Sequence, residues 1–351
     1  MEGLPSPAPS TRRDQPARSV VVYGAYGHTG RFVTAELLRR GLVPVLSGRD
    51  PDRLAALAAD SPDLDARPAA VDDPVALGRA FAGAAAVVNC AGPFADTAGP
   101  VAAAAVAGRA HYLDVTAEQS SVQALYRDAD EGARAAGVAV VPAAAFYGGL
   151  PDLLATAATA GWEGADEITV GIGLDRWWPT AGTRTTGRRN TAPRLVVSDG
   201  RLAPAPLSPP ARTWPFPDPL GPRQVVATSF SEIITMARHL PASTIRTYLD
   251  LAALEDLRDP ATPPPRAVDD SGRSAQRFLV EVVARRGTEE RRVAAGGRDI
   301  YAVSAPIVVE VAARLVDGRS AVVGVAAPGE VLDGEDGLAA LSPHPLTITR
   351  R

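Results

Sequence analysis

Three glycines spaced three apart, Gly24, Gly27 and Gly30, follow the apolar run Val20 to Tyr23 and open an amphipathic stretch. Each has its own use in holding a phosphate. Gly24 lets the chain turn sharply off a strand, Gly27 lets the backbone approach a pyrophosphate, and Gly30 removes the side chain that would hold helix and strand apart. Amides around Tyr26, His28 and Thr29, at the helix start, would then face the phosphates. Any glycine-rich turn can imitate this pattern, so its meaning rests on the next strand. In NAD-selective sites that strand ends in an acid, which binds the ribose 2′-OH. Here it ends Ser47-Gly48-Arg49. Arg49 can fork onto a 2′-phosphate, and Arg53, on the helix that follows, can reach the same charge. The alternative is two solvated arginines. NADP(H) is the cofactor this pattern favours.

The elements that must position these residues alternate regularly. A helix is expected over Pro51 to Asp60, a third strand over Ala66 to Val71, and a helix through Leu77 to Phe81. Asp72 either contacts the adenine amino group or caps the helix before Pro74. A fourth strand emerges at Asn89-Cys90-Ala91-Gly92-Pro93-Phe94, at the edge where ligands lie in open parallel sheets, so this loop should face the nicotinamide half. A helix over Gly99 to Ala107, a strand ending at Asp114, a helix over Glu118 to Ala136 and a strand over Val138 to Val141 complete a doubly wound pattern. Beyond Leu153, alternation at Asp166 to Leu174, a hairpin turning at Asp199-Gly200, and runs at Gln224 to Ser229 and Phe278 to Arg285 indicate a mainly antiparallel second sheet. Trp177 and Trp178 beside Arg184, Arg188 and Arg189 suggest an aromatic, anion-tolerant wall. A long apolar helix over Tyr301 to Leu315 is expected to pack back on the first domain.

Composition removes whole mechanisms. All 36 basic residues are arginine, so neither a Schiff base nor a Tyr-x-x-x-Lys pair can operate. Cys90 is the sole cysteine and the four histidines are scattered, which excludes an internal disulfide and disfavours a metal site. A net charge of −4 argues against nucleic acid as the main partner. No run approaches the length of a membrane span, and a cytoplasmic location is expected. Residues 1–18, rich in Pro, Ser and Ala, read as a disordered lead.

The segments GAYGHTGR, SGRDPDRL, VVNCAGPF with HYLDVTAE beyond it, and DIYAVSAPIVVEVAARLVDGRSAVVGVAAPGEVL together resemble the saccharopine dehydrogenase-like oxidoreductases. That group includes saccharopine reductases and trans-acting enoyl reductases of lipid biosynthesis. The resemblance is strong over 19–152, returns over 299–341, and is slight over 175–298. It implies an α/β fold: a Rossmann-type doubly wound parallel sheet with an inserted α+β domain that contains the antiparallel sheet. The division expected is an NADP-binding domain at 19–152, a substrate and dimerisation domain at 153–300, and a C-terminal segment at 301–351. A homodimer is implied. Many members carry a segment similar to GFDSVPSD where this chain has AFYGGLPD, which leaves the substrate class open.

Hydride transfer needs no protein nucleophile, only a held nicotinamide and a proton source. The family layout implies that Tyr147 lies near the nicotinamide, as the first candidate proton donor; its alternative is a packed aromatic. Asp114 either orients the nicotinamide ribose or substrate, or caps a turn. Cys90 is a nucleophile or, more commonly, a small buried hydrophobe. His239 either touches substrate or is an ordinary core or surface histidine. The function expected is an NADPH-dependent reductase of a C=N or C=C bond in a small or carrier-bound metabolite, in a GC-rich bacterium's specialised metabolism. A non-catalytic NADP(H) sensor and a Cys90-dependent aldehyde or acyl dehydrogenase are the alternatives.

Overall fold

The structure is a computed structural model that describes residues 18–59, 61, 63–206 and 210–351. Apart from Arg18, the expected lead therefore lies outside the described residues. The first half alternates strand and helix: β1 (Ser19–Tyr23), α1 (His28–Arg39), β2 (Val43–Gly48), α2 (Pro51–Ala59), β3 (Ala66–Pro68), α3 (Pro74–Phe81), β4 (Ala86–Asn89), α4 (Phe94–Ala107), β5 (His111–Asp114), α5 (Gln119–Asp128), α6 (Asp130–Ala136), β6 (Ala139–Val141) and α7 (Gly149–Ala158). The second half adds β7 (Ala165–Leu174), α8 (Ala181–Arg189), β8 (Leu195–Ser198), β9 (Arg201–Pro204), β10 (Arg212–Pro215), β11 (Pro222–Ala227), α9 (Glu232–His239), β12 (Ala242–Asp250), α10 (Leu251–Arg258), β13 (Arg277–Arg286) and β14 (Glu289–Arg298). The chain closes with α11 (Ile300–Val316), β15 (Gly324–Val325), α12 (Pro328–Val331), α13 (Gly334–Leu341) and β16 (Thr347–Arg350).

The first sheet is parallel, in the order β15-β6-β5-β4-β1-β2-β3. Its direction reverses between β1 and β4, which opens a crevice at their carboxyl ends. Val20, Val21 and Val22 are all fully buried, because both faces of β1 are covered. Val20 and Val22 face α1 and α11, whereas Val21 and Tyr23 face the side of α3 and α4. Helix α11 arrives from the far end of the chain and buries Val303, Ile307, Val308 and Val311 completely. Each such side chain contributes about 1.5–3 kcal/mol.

The second sheet runs β10-β11-β12-β7-β13-β14-β16, with the β8–β9 hairpin joined to β12. All its pairings are antiparallel except β7 with β12. Ile168, Val170 and Ile172 of β7 bury against the same core as Leu150, Leu153 and Leu154 of α7, so the two sheets share one apolar interior. That sharing fixes the second sheet relative to the crevice.

Several boundaries differ from the sequence reading; β3, for one, ends at Pro68 instead of Val71. Helix α4 begins at Phe94, before Gly99-Pro100, because the Glu118 carboxylate accepts from the Phe94 and Ala95 amides at 2.8 and 3.2 Å. The stretch 118–136 divides into α5 and α6 at Ala129. The cap before Pro74 is Asp73, whose side chain accepts from the Ala76 amide at 2.9 Å; Asp72 is exposed.

Candidate cofactor and substrate cleft

The crevice is a cleft of about 780 Å³, floored by the carboxyl ends of β1, β2 and β4 and walled by the second domain. Gly24, Tyr26, Gly27, His28, Thr29, Gly48, Arg49, Arg53, Cys90, Ala91, Gly92, Phe94 and Tyr147 all line it. These thirteen expected site residues, drawn from segments far apart in sequence, meet in one groove. Four others do not line it. Gly30 lies behind the turn, where a Cβ would come within 2.3 Å of the Gly24 carbonyl oxygen, so its use is helix–strand contact. Asp72 lies outside. Asn89 points back into the sheet, donating to Thr97 Oγ1 and Tyr112 Oη at 3.2 Å and accepting from the Ala91 amide at 3.0 Å. Thus Asn89 shapes the loop without facing the groove.

Asp114 corrects the second catalytic expectation. It is fully buried, accepts from Tyr112 Oη at 2.9 Å and holds the Thr116 and Ala143 amides at 3.0 and 2.7 Å. Burial pushes its carboxyl up to about 6, against the pull of those hydrogen bonds. Its position is that of a turn cap joining β5 to the loop after β6.

At one end of the cleft, Arg49 is exposed and meets no acidic side chain among the described residues. The nearby Asp50 is engaged in capping α2 through the Arg53 amide at 3.1 Å. The Arg53 guanidinium lies 4.3 Å from the centre of the Tyr26 ring. That ring in turn closes on Gly48, where a Cβ would sit 2.8 Å from it. A platform with two guanidinium groups and no carboxylate suits a 2′-phosphorylated adenosine. Gly24, at φ +85°, turns the chain into the α1 amides that would meet the pyrophosphate. The residues present therefore fit NADP(H).

At the other end, Tyr147 stands among Phe230, Phe146 and Trp177, with ring centres at 4.3, 4.9 and 5.7 Å. Its hydroxyl is buried without a hydrogen-bond partner among the described residues, and burial holds the phenol well above its ordinary value. It is therefore protonated at neutral pH and has a proton to give. His28 Nε2 is likewise buried and unpartnered, between Phe32 and Tyr301, and desolvation lowers its pKa, keeping the ring neutral. Cys90 stays a thiol, because burial and then the Asp114 carboxylate push it far above its usual range. His239 lies elsewhere, paired with Asp152 at 2.8 Å.

Helix α8 forms a roof that none of its own buried side chains anchors. It is pinned at its edges: Thr183 Oγ1 meets Tyr301 Oη at 3.0 Å, and Arg189 pairs with Asp96 across the cleft at 2.9 Å. Trp177 lines the cleft as expected, but the arginines near it do not furnish an open anion site. Arg184 is taken up by the carbonyls of Leu257, Asp259 and Thr262, and Arg188 faces outward. Sequence reading missed the guanidinium that does enter, Arg194, which had read only as the start of a hairpin.

Residues 20–141 match the family described as saccharopine dehydrogenase NADP binding domain. A probable mitochondrial saccharopine dehydrogenase-like oxidoreductase of Arabidopsis thaliana is 28% identical over 155 residues, 39% of this chain and 33% of that protein. A human saccharopine dehydrogenase-like oxidoreductase is 28% identical over 145 residues, 36% of this chain and 34% of its own. The matched stretch thus spans about a third of these curated relatives' length. The apo saccharopine dehydrogenase (L-Glu forming) of Saccharomyces cerevisiae superposes with a TM-score of 0.65 at 12% identity, over 95% of this chain and 99% of that one. That likeness extends the fold to the second domain. Among the described residues no helix is long and apolar enough to cross a membrane.

Proposed function

We propose that this chain, whose residues 20–141 match the saccharopine dehydrogenase NADP binding domain, is a saccharopine dehydrogenase-like oxidoreductase and an NADPH-dependent reductase of a C=N or C=C bond. The observation that carries this reading is the continuity of the cleft. It runs from the Arg49 and Arg53 platform, past the glycine turn, into an aromatic chamber beyond the length of the turn, where Tyr147 holds an unshared proton. A nucleotide sensor has little use for such a chamber, and a half-buried thiol held in its protonated form gives a nucleophilic route through Cys90 no support.

When bound, the dihydronicotinamide supplies a hydride. The chain's own residues do the rest. Arg49 and Arg53 would hold the 2′-phosphate, the α1 amides the pyrophosphate, and the loop from Cys90 to Phe94 would flank the nicotinamide. Tyr147 would be the proton source for the substrate atom that gains the electrons, once its hydroxyl, sealed among the aromatic rings here, meets the substrate. Helix α8 keeps bulk water out. The acceptor is a small or carrier-bound metabolite; the arginine-only, alanine-rich composition supports a GC-rich bacterial source, and the family resemblance supports a homodimer.

The test is a calorimetric titration of NADPH, NADP+ and NADH into wild type and Arg49→Ala. Losing the 2′-phosphate contact should weaken NADPH binding by about 1.5–3 kcal/mol and leave NADH unchanged. Absence of binding by any nicotinamide sinks the reading. Sedimentation of the same sample decides the dimer.

A further inference from the structure

Arg194 is a half-buried cation with no ion-pair partner among the described residues. Its one hydrogen bond is from Nη1 to the Ser229 carbonyl, at 2.8 Å. The residue lines the cleft, and its Nε and Nη2 make no hydrogen bond among the described residues. The placement is deliberate in its mechanics. Gln119, on α5, clamps the next residue through both ends of its amide, accepting from the Leu195 amide at 2.8 Å and donating to its carbonyl at 3.0 Å. The guanidinium then stands 5.5 Å from the centre of the Phe230 ring.

Two acids, Glu232 and Glu118, lie near enough for their charge to act on it, but neither forms an ion pair with it among the described residues. Glu118 is committed to the Phe94 and Ala95 amides, and Asp96 to Arg189. Glu232, behind Phe230, spends Oε1 on the Phe230 amide and the Thr247 hydroxyl, while its Oε2 is buried without a partner among the described residues. Burial pushes that carboxyl up to about 7 against the pull of its hydrogen bonds and of Arg194, so it is only partly ionised at neutral pH. A desolvated guanidinium left open on a cleft calls for an anion from outside. The wall beside it is apolar and aromatic: Phe230 and Tyr147 stand 4.3 Å apart with their rings tilted by 33°, and Trp177 lies beyond.

We infer that the inner end of the cleft binds the single carboxylate of a flat, apolar acid, with Arg194 as its charge partner and Phe230, Tyr147 and Trp177 as the surface its body lies on. The inference rests on the reductase reading for the reducible bond, but not for the anion. It favours a free acid over a carrier thioester, which lacks that charge, and one cation over an aromatic wall favours a monoacid over a diacid.

The experiment is calorimetry with cinnamate, methyl cinnamate and 2-oxoglutarate, each with and without saturating NADP+. Cinnamate should bind, and its methyl ester and 2-oxoglutarate should bind at least tenfold more weakly. Arg194→Gln should weaken cinnamate by about ten- to a hundredfold, and Arg194→Lys by less. NADP+ affinity should be unchanged in both variants, which also reports on folding. If Arg194→Gln does not fold, the acid-to-ester ratio on wild type decides. Equal affinity for acid and ester, a diacid preferred, or no carboxylate bound at all overturns the inference. Carboxylate binding by a chain that takes no nicotinamide nucleotide leaves the anion site standing and removes the reductase instead.

Discussion

The indole Nε1–H of Trp177 donates to the phenolic oxygen of Tyr301, 124 residues later, at 3.1 Å, tying the second domain to the start of α11. The same oxygen accepts from the Thr180 amide at 3.3 Å and meets Thr183 Oγ1 at 3.0 Å. One phenol from α11 therefore sets the cleft wall and the start of its roof together.

Tyr301→Phe removes that hub and leaves the Trp177 and Thr180 donors without it. Orphaning buried donors costs about 1–3 kcal/mol in all when the site partly relaxes. The expected outcome is a lower urea midpoint with unchanged slope, and NADPH fluorescence more readily quenched by acrylamide because α8 lies less closely over the cleft. A midpoint equal to that of wild type refutes the hub.

The turn makes a separate demand. At Gly30 an added Cβ would lie 2.3 Å from the Gly24 carbonyl oxygen and 3.0 Å from Ala25 Cα, all of it backbone that cannot swing aside. Gly30→Ala should therefore destabilise the fold by about 1–3 kcal/mol through overpacking. It should also weaken NADPH and NADH alike, since the pyrophosphate cradle moves for both. A selective loss of NADPH would place the defect at the platform instead.

Much of this was legible because it is local. The Val20 to Gly30 stretch carries strand, turn and helix signals in adjacent residues, and Arg49 takes its meaning from a fixed place after the second strand. Where the signal is tertiary, sequence reading failed. The start of α4 depends on Glu118, which approaches from 24 residues downstream. Strand β15 is two residues long and exists through its pairing with β6. Arg194 is notable for the partners it lacks, and a missing partner leaves no mark in a linear pattern. Asp114 failed in the opposite way: its type suggested chemistry, but two backbone amides and a phenol had already claimed its oxygens.

Cys90 provides a check on the chemistry excluded. With its thiol held far above the usual range by burial, the thiolate fraction at pH 8 is negligible. Native protein should react with Ellman's reagent far more slowly than a free thiol, and urea-unfolded protein should release one equivalent promptly. Rapid labelling of the native state would reopen the nucleophilic route.

The pair of His239 and Asp152 joins α9 to α7, and Asp152 Oδ2 also receives the Gly329 amide at 2.6 Å, drawing in α12. Desolvation by itself lowers the His239 pKa, but the Asp152 charge and hydrogen bond, with Glu330 beyond, outweigh it and raise the folded value above the ordinary 6.5. A folded pKa above the unfolded one means that the folded state binds the proton more tightly. The resulting stability is fully present below about 6.5, the unfolded value, and is lost as pH rises through the folded value. Urea midpoints should fall from pH 6 towards pH 9 in wild type, and more shallowly in His239→Gln, whose side chain can still donate to Asp152 without titrating. Parallel pH profiles for the two proteins would mean that the imidazole is neutral in this pair throughout.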